Sequence, residues 1–112
     1  MQIINLSPQP ISPELYQDLC ERLCPDRVFE RPVLIDQKKP LEGQIDRIVS
    51  GIQWDDAVVN LPNLPIAAAM IARKIRGRNV RLLRLKFAGP PEERTLVFSE
   101  LVPLDGEESD EP

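Results

Sequence analysis

Histidine is absent from the 112-residue chain. That removes the usual general base, the Ser-His-Asp and Cys-His arrangements of nucleophilic catalysis, and imidazole metal sites. Cysteine occurs twice, as Cys20 and Cys24. On neighbouring turns of one expected helix they are badly placed for a disulfide, so reduced, partly buried thiols and a cytoplasmic location are expected. The longest apolar run, Ile66 to Ala72, falls far short of the ~20 residues of a membrane span. Met1-Gln2-Ile3-Ile4-Asn5 has neither a basic stretch nor a long apolar core, so it reads as the start of the fold and not as a secretion signal. There are only five glycines, none of them in the loop expected after the first strand. The G-x-G-x-x-G fingerprint and the P-loop are therefore missing, and NAD and ATP enzymes are disfavoured. No cofactor and no metal is expected.

The length and an apolar fraction of 42% fit one domain. Its net charge of −4 is local. Five of the 18 acids lie in the last eight residues, Asp105 to Pro112, leaving 13 acids against 14 bases over residues 1–104. We expect a near-neutral domain, 1–104, and an acidic disordered tail, 105–112. Arg73, Lys74, Arg76, Arg78, Arg81, Arg84 and Lys86 form a stretch without one acid, a basic patch that points towards an anion.

Along the chain, Gln2–Leu6 predicts a short strand ended by Ser7-Pro8-Gln9-Pro10. Ser12 as N-cap and Pro13 at the first helical position open a helix, with Leu15, Tyr16, Leu19, Cys20, Leu23 and Cys24 at helical spacing. Val28–Ile35 predicts a second strand, and Pro40 begins a helix with Leu41, Ile45, Ile48, Val49 and Ile52 on one face. A third strand, Asp56–Leu61, precedes a helix over Ile66–Ile75, with Asn63 as its cap and Gly77 as its stop. Val80–Phe87 and Arg94–Leu104 predict a terminal antiparallel hairpin.

The order βαβαβαββ predicts an α/β fold: a small Rossmann-like domain with a mostly parallel sheet. Pro32 places the second strand at an edge, which makes the strand order 2-1-3-4-5. Ligands of such sheets bind beyond the carboxyl ends of the strands where the winding reverses, here between the first and third. The crevice candidates are Asn5, Ser7 and Gln9 on one side and Asn60, Leu61, Pro62 and Asn63 on the other. Asp36, Gln37, Lys38 and Lys39 flank it, and Arg84 and Lys86 of the fourth strand are further binding candidates. The Asn60–Asn63 turn can present amides to a base or ribose and opens a helix whose first N–H groups attract phosphate; strand termination and capping explain the same residues. Asp55-Asp56 reads as a solvated turn at the opposite end. Trp54 and Tyr16 read as packing residues.

Val58-Val59-Asn60-Leu61-Pro62, Ala67-Ala68-Ala69, Gly77-Arg78, Leu82-Leu83-Arg84-Leu85 and Phe98-Ser99-Glu100-Leu101-Val102 resemble the pattern of small stand-alone accessory proteins (Csx-type) of type III CRISPR loci. The resemblance spans about residues 2–104. Such proteins are similar to CARF-like sensor domains and small ring nucleases, so the resemblance implies handling of cyclic oligoadenylate, the second messenger of these defence systems. The leading expectation is a binder that sequesters the ring, most simply cyclic tetra-adenylate. One alternative is a metal-independent ring nuclease in which Lys38, Lys39 or Lys86 stabilises charge on phosphate and Ser7 or Asn60 orients the attacking ribose. Another is an interaction subunit of the CRISPR effector. A homodimer is expected, with ligand-driven higher assembly through Arg73, Lys74, Arg76 and Arg78 of a neighbouring subunit as the variant; neither a membrane nor a long nucleic acid is an expected partner.

Overall fold

Ile3, Ile4, Val58 and Val59 are at most 1% exposed, and they make the two central strands apolar on both faces. The computed structural model describes residues 1–105. In chain order the elements are β1 (Gln2–Asn5), α1 (Pro13–Leu23), β2 (Arg27–Glu30), α2 (Leu41–Ser50), β3 (Ala57–Asn60), α3 (Pro65–Lys74), β4 (Val80–Ala88) and β5 (Thr95–Pro103), with a 3-10 turn at Pro91–Glu93. The fold is α/β, a five-stranded mixed sheet in the order β2-β1-β3-β4-β5. The first four of these strands run parallel, and β5 returns antiparallel to β4. Among the described residues no helix is long and apolar enough to cross a membrane.

Alternation along the strands sends side chains to two separate cores. On one face Leu15 and Leu19 of α1 meet Ile3, Val58 and Leu83. On the other, Ile45 and Val49 of α2 and Ala67 and Ile71 of α3 meet Ile4, Ala57, Val59 and Val80. Full burial of each larger aliphatic chain is worth about 1.5–3 kcal/mol, so the sheet needs only four residues in each central strand. Trp54 packs into the second core and its indole N–H donates to Val49 O at 3.0 Å. Tyr16 departs from the packing role expected of it: it is 50% exposed.

Local chemistry explains where the element ends fall. Ser12 Oγ accepts from Leu15 N at 3.2 Å, the expected cap of α1. Asn63, in contrast, does not cap α3, because the helix starts at Pro65 and Leu64 occupies the cap position without a side-chain hydrogen bond. The second strand is shorter than its apolar run predicts. Its ladder gives way after Glu30, yet Arg31 N still donates to Asn5 O and Val33 N to Leu6 O. Pro32 lies between these two donors, and the N–H it lacks is the one that would face the open edge. The hairpin turn needs Gly89, which has φ +99° and no room for a Cβ, since one would lie 2.9 Å from Glu93 O. Asp105, assigned to the tail on composition, instead accepts from Gly77 N at 3.3 Å and lies 4.0 Å from Arg76. The remainder of the expected tail, 106–112, lies outside the described residues.

Candidate functional site

The parallel register places Asn5 level with Glu30 of β2 and with Asn60 of β3, so three polar residues end three adjacent strands in a row. Asn5 is fully buried and its amide is used in full. Its Nδ2 donates to Glu30 Oε1 at 2.8 Å and to Gln9 O at 3.0 Å. Its Oδ1 accepts from Asn60 Nδ2 at 2.8 Å and from Ser7 N at 3.2 Å. Glu30 continues the network by accepting from Ile11 N at 3.0 Å through Oε2, and Ser7 Oγ accepts from Gln9 N at 3.2 Å. Hydrogen bonds converging on one buried amide polarise and stiffen one another, and these tie the loop after β1 to β2 and β3.

This geometry revises the roles read from the sequence. Asn5, expected to contact ligand, has no group left to offer and acts as the keystone of the network. Leu61 is half-buried against the α2–α3 core and Pro62 is buried, so both have a packing role. Asn60 is half-buried, while Ser7, Gln9 and Asn63 reach solvent to differing degrees. Glu30 was not among the expected site residues; its level with Asn5 and Asn60 becomes visible only once the strand order is in hand.

Beyond these strand ends, on the α2–α3 face, lies a cavity of about 580 Å³. Pro8 borders it after β1, Val33, Leu34 and Ile35 after β2, and Leu64, Pro65 and Ile66 at the start of α3. Leu34 and Ile66 are 75% and 69% exposed, an apolar rim that the sequence reading missed. Lys39 and Gln37 line the same cavity. The loop that carries them is held by Gln44, whose Oε1 accepts from Asp36 N at 2.8 Å and whose Nε2 donates to Asp36 O at 2.9 Å and Pro40 O at 3.1 Å. Lys38 is exposed, and its N–H closes a turn on Asp36 Oδ1 at 3.0 Å. The uncapped first turn of α3 opens at the cavity's wall, where backbone N–H groups and the helix dipole favour an anion.

Arg84 and Lys86 rise past the last residue of β3 on the α3 side of the sheet, as alternation from Leu82 requires. Arg84 is paired with Glu100 at 2.6 Å, whereas Lys86 has no ion partner among the described residues. The basic patch read from the sequence is largely neutralised in three dimensions. Lys74 lies 2.6 Å from Asp46 and 2.8 Å from Glu42, Arg73 lies 3.9 Å from Glu42, and Arg81 lies 3.9 Å from Asp56. Hydrogen bonds donated to the Asp46 and Glu42 carboxylates hold the Lys74 ammonium above its ordinary pKa. Arg78 is exposed at the foot of α3, away from the crevice. Among the described residues no group of three or more acidic or cysteine side chains is arranged to hold a metal.

Comparison with protein-family models, with curated proteins and with solved structures found no match to the chain.

Proposed function

We propose that the protein binds a cyclic oligoadenylate, cyclic tetra-adenylate first among them, in the crevice beyond β1 and β3, and that it damps type III CRISPR signalling by sequestering the ring. In this reading the sheet is a small Rossmann-like, CARF-like domain of a cytoplasmic protein. One observation carries the proposal: a single cavity joins an apolar wall, Leu34, Leu64 and Ile66, to a lysine, Lys39, and an uncapped helix start. Adenines suit the wall, and phosphates suit Lys39 and the first N–H groups of α3. The sequence resemblance supports the same ligand. A cavity of this volume, in the range of drug-sized ligands, is small for four nucleotides. Two crevices facing each other across a two-fold axis would enclose a symmetric ring and cover both apolar rims.

Calorimetry with the three-, four- and six-membered rings tests this. Binding of the four-membered ring is expected, weakened about tenfold or more, or ~1.4 kcal/mol, by Lys39→Glu and by Ile66→Asp. Failure of all three rings to bind overturns the proposal. Recovery of intact ring after denaturation supports sequestration, whereas linear products ending in a 2′,3′-cyclic phosphate would make the protein a ring nuclease.

A further inference from the structure

A second concavity, about 540 Å³, lies on the α2 side of β2 and is separate from the crevice. One wall is the strand itself, with Arg27, Phe29 and Arg31. The other is the Gly51–Asp56 segment after α2, and Ile4 and Ile52 lie at its floor. Period-two alternation puts Arg27, Phe29 and Arg31 on one face, and Val28 faces the α1 core as that requires. The Arg27 guanidinium lies over the Phe29 ring, 5.9 Å from its centroid. Neither arginine has a carboxylate partner within 4.0 Å among the described residues.

The groove is graded along its length. At the end nearer the crevice, Arg31 is an exposed cation whose backbone is fixed by its N–H to Asn5 O. In the middle is an aromatic face. At the far end are three carboxylates, of which Asp26 and Asp56 are engaged by the Met1 amino group at 2.5 and 3.2 Å. Asp55 has no ion partner among the described residues. At the strand rise of about 3.3 Å per residue, Arg27 and Arg31 are roughly 13 Å apart, about the span of one nucleotide.

We infer that this groove is a second ligand site, for a nucleoside monophosphate whose base carries an exocyclic amine. The phosphate sits at Arg31, and the base takes the place of the Arg27 guanidinium on the Phe29 ring. The amine donates to the Asp55 carboxylate in a charge-assisted hydrogen bond, where uracil presents a carbonyl oxygen in place of the exocyclic amine. The carboxylate end repels phosphate, so the nucleotide has one orientation.

Heteronuclear NMR titration of the full chain with AMP, UMP, adenosine and inorganic phosphate tests the inference. AMP is expected to give saturable shifts at Arg31 and Ile52, with UMP and adenosine each about tenfold weaker and phosphate alone weaker still. Arg31→Gln should weaken AMP about tenfold, and Asp55→Asn should erase the preference for AMP over UMP. Both positions are exposed, so the folded spectrum should persist in each variant. Absence of saturable shifts with AMP, equal binding of AMP and UMP by the unaltered protein, or indifference to Arg31→Gln overturns the inference. So do AMP shifts confined to Leu34 and Ile66, which would leave the crevice reading standing. Loss of ring binding with AMP binding intact would separate the two in the other direction.

Discussion

The carboxylate of Asp18, on α1, accepts the backbone N–H of Phe98, on β5, at 2.8 Å. The register between β4 and β5 slips here: Arg84 pairs with Glu100 but Leu85 pairs with Phe98, leaving Ser99 as an extra residue. The slip turns both Phe98 and Leu101 towards the α1 core, where they pack; without it they would point to opposite faces. A bulge leaves an N–H unmatched in the ladder, and Asp18 satisfies it. Arg22 supports the same carboxylate at 2.9 Å.

The Phe98 N–H and then Arg22 hold Asp18 below the usual carboxylate pKa. With the folded value below the unfolded one, ~3.9, the contribution to stability is complete above that value and disappears as pH falls through the folded pKa. Asp18→Asn should therefore lower Tm at pH 7 by an amount that shrinks below about pH 4. Thermal melts of both proteins from pH 7 to pH 2 check this; a constant difference would show that the charge is not involved.

Lys74 gives the opposite dependence. Its pKa is raised by Asp46 and Glu42, so the α2–α3 clasp should hold below the ordinary lysine value, ~10.4, and weaken as pH rises through the folded one. Lys74→Met should lower Tm at neutral pH and flatten the alkaline loss, measured by melts from pH 8 to pH 12.

The same pairing bears on assembly. Arg73 and Lys74 face α2 carboxylates and Arg76 faces Asp105 of their own subunit, so the basic end of α3 is ill suited to cover a neighbour's crevice. Light scattering is expected to show a ligand-bound particle that stays a dimer, with affinity unchanged by Arg76→Glu. Growth beyond the dimer that Arg76→Glu abolishes would instead assign these cations to stacking.

Gly89 tests the hairpin. Alanine there would have to adopt φ +99° with its Cβ 2.9 Å from Glu93 O, a strained backbone that costs about 1–3 kcal/mol. Gly89→Ala should lower stability by that order in denaturant unfolding, while Gly43→Ala, where a Cβ meets nothing within 4 Å, should not.

The strand order is legible from two features of composition: strands alternating with helices, and a proline in the second strand. Pro32 marks the edge because it lacks the N–H a further strand would need, although it lies just past β2. The charge pattern misled because sequence separation conceals pairing: Arg73 to Lys86 is free of acids along the chain, while Glu42, Asp46, Asp56, Glu100 and Asp105 come to it from other segments. Asn5 and Asn60 stand out as amides ending apolar strands, but Glu30 is a partner only through register. The bulge at Ser99 is hidden because Phe98 and Leu101, three apart, do not advertise a shared face in a strand.

Asn5 and Asn60 touch each other yet should respond differently to alanine. Asn5→Ala strips partners at once from Asn60 Nδ2, Ser7 N, Gln9 O and Glu30 Oε1. Glu30 and Gln9 reach water and rehydrate, so the fold should lose about 1–3 kcal/mol, and ring binding should fall with the folded fraction. Asn60→Ala removes one donor, and Asn5 Oδ1 keeps the Ser7 N–H, so the folding cost should be on the order of 1 kcal/mol. If Asn60 turns its remaining amide capacity to the ligand, ring affinity should drop further than that, by about 1–3 kcal/mol. Urea unfolding and calorimetry on both variants separate the roles: Asn60→Ala with wild-type affinity would return Asn60 to the network alone, and Asn5→Ala with wild-type stability would show that the network does not hold the loops.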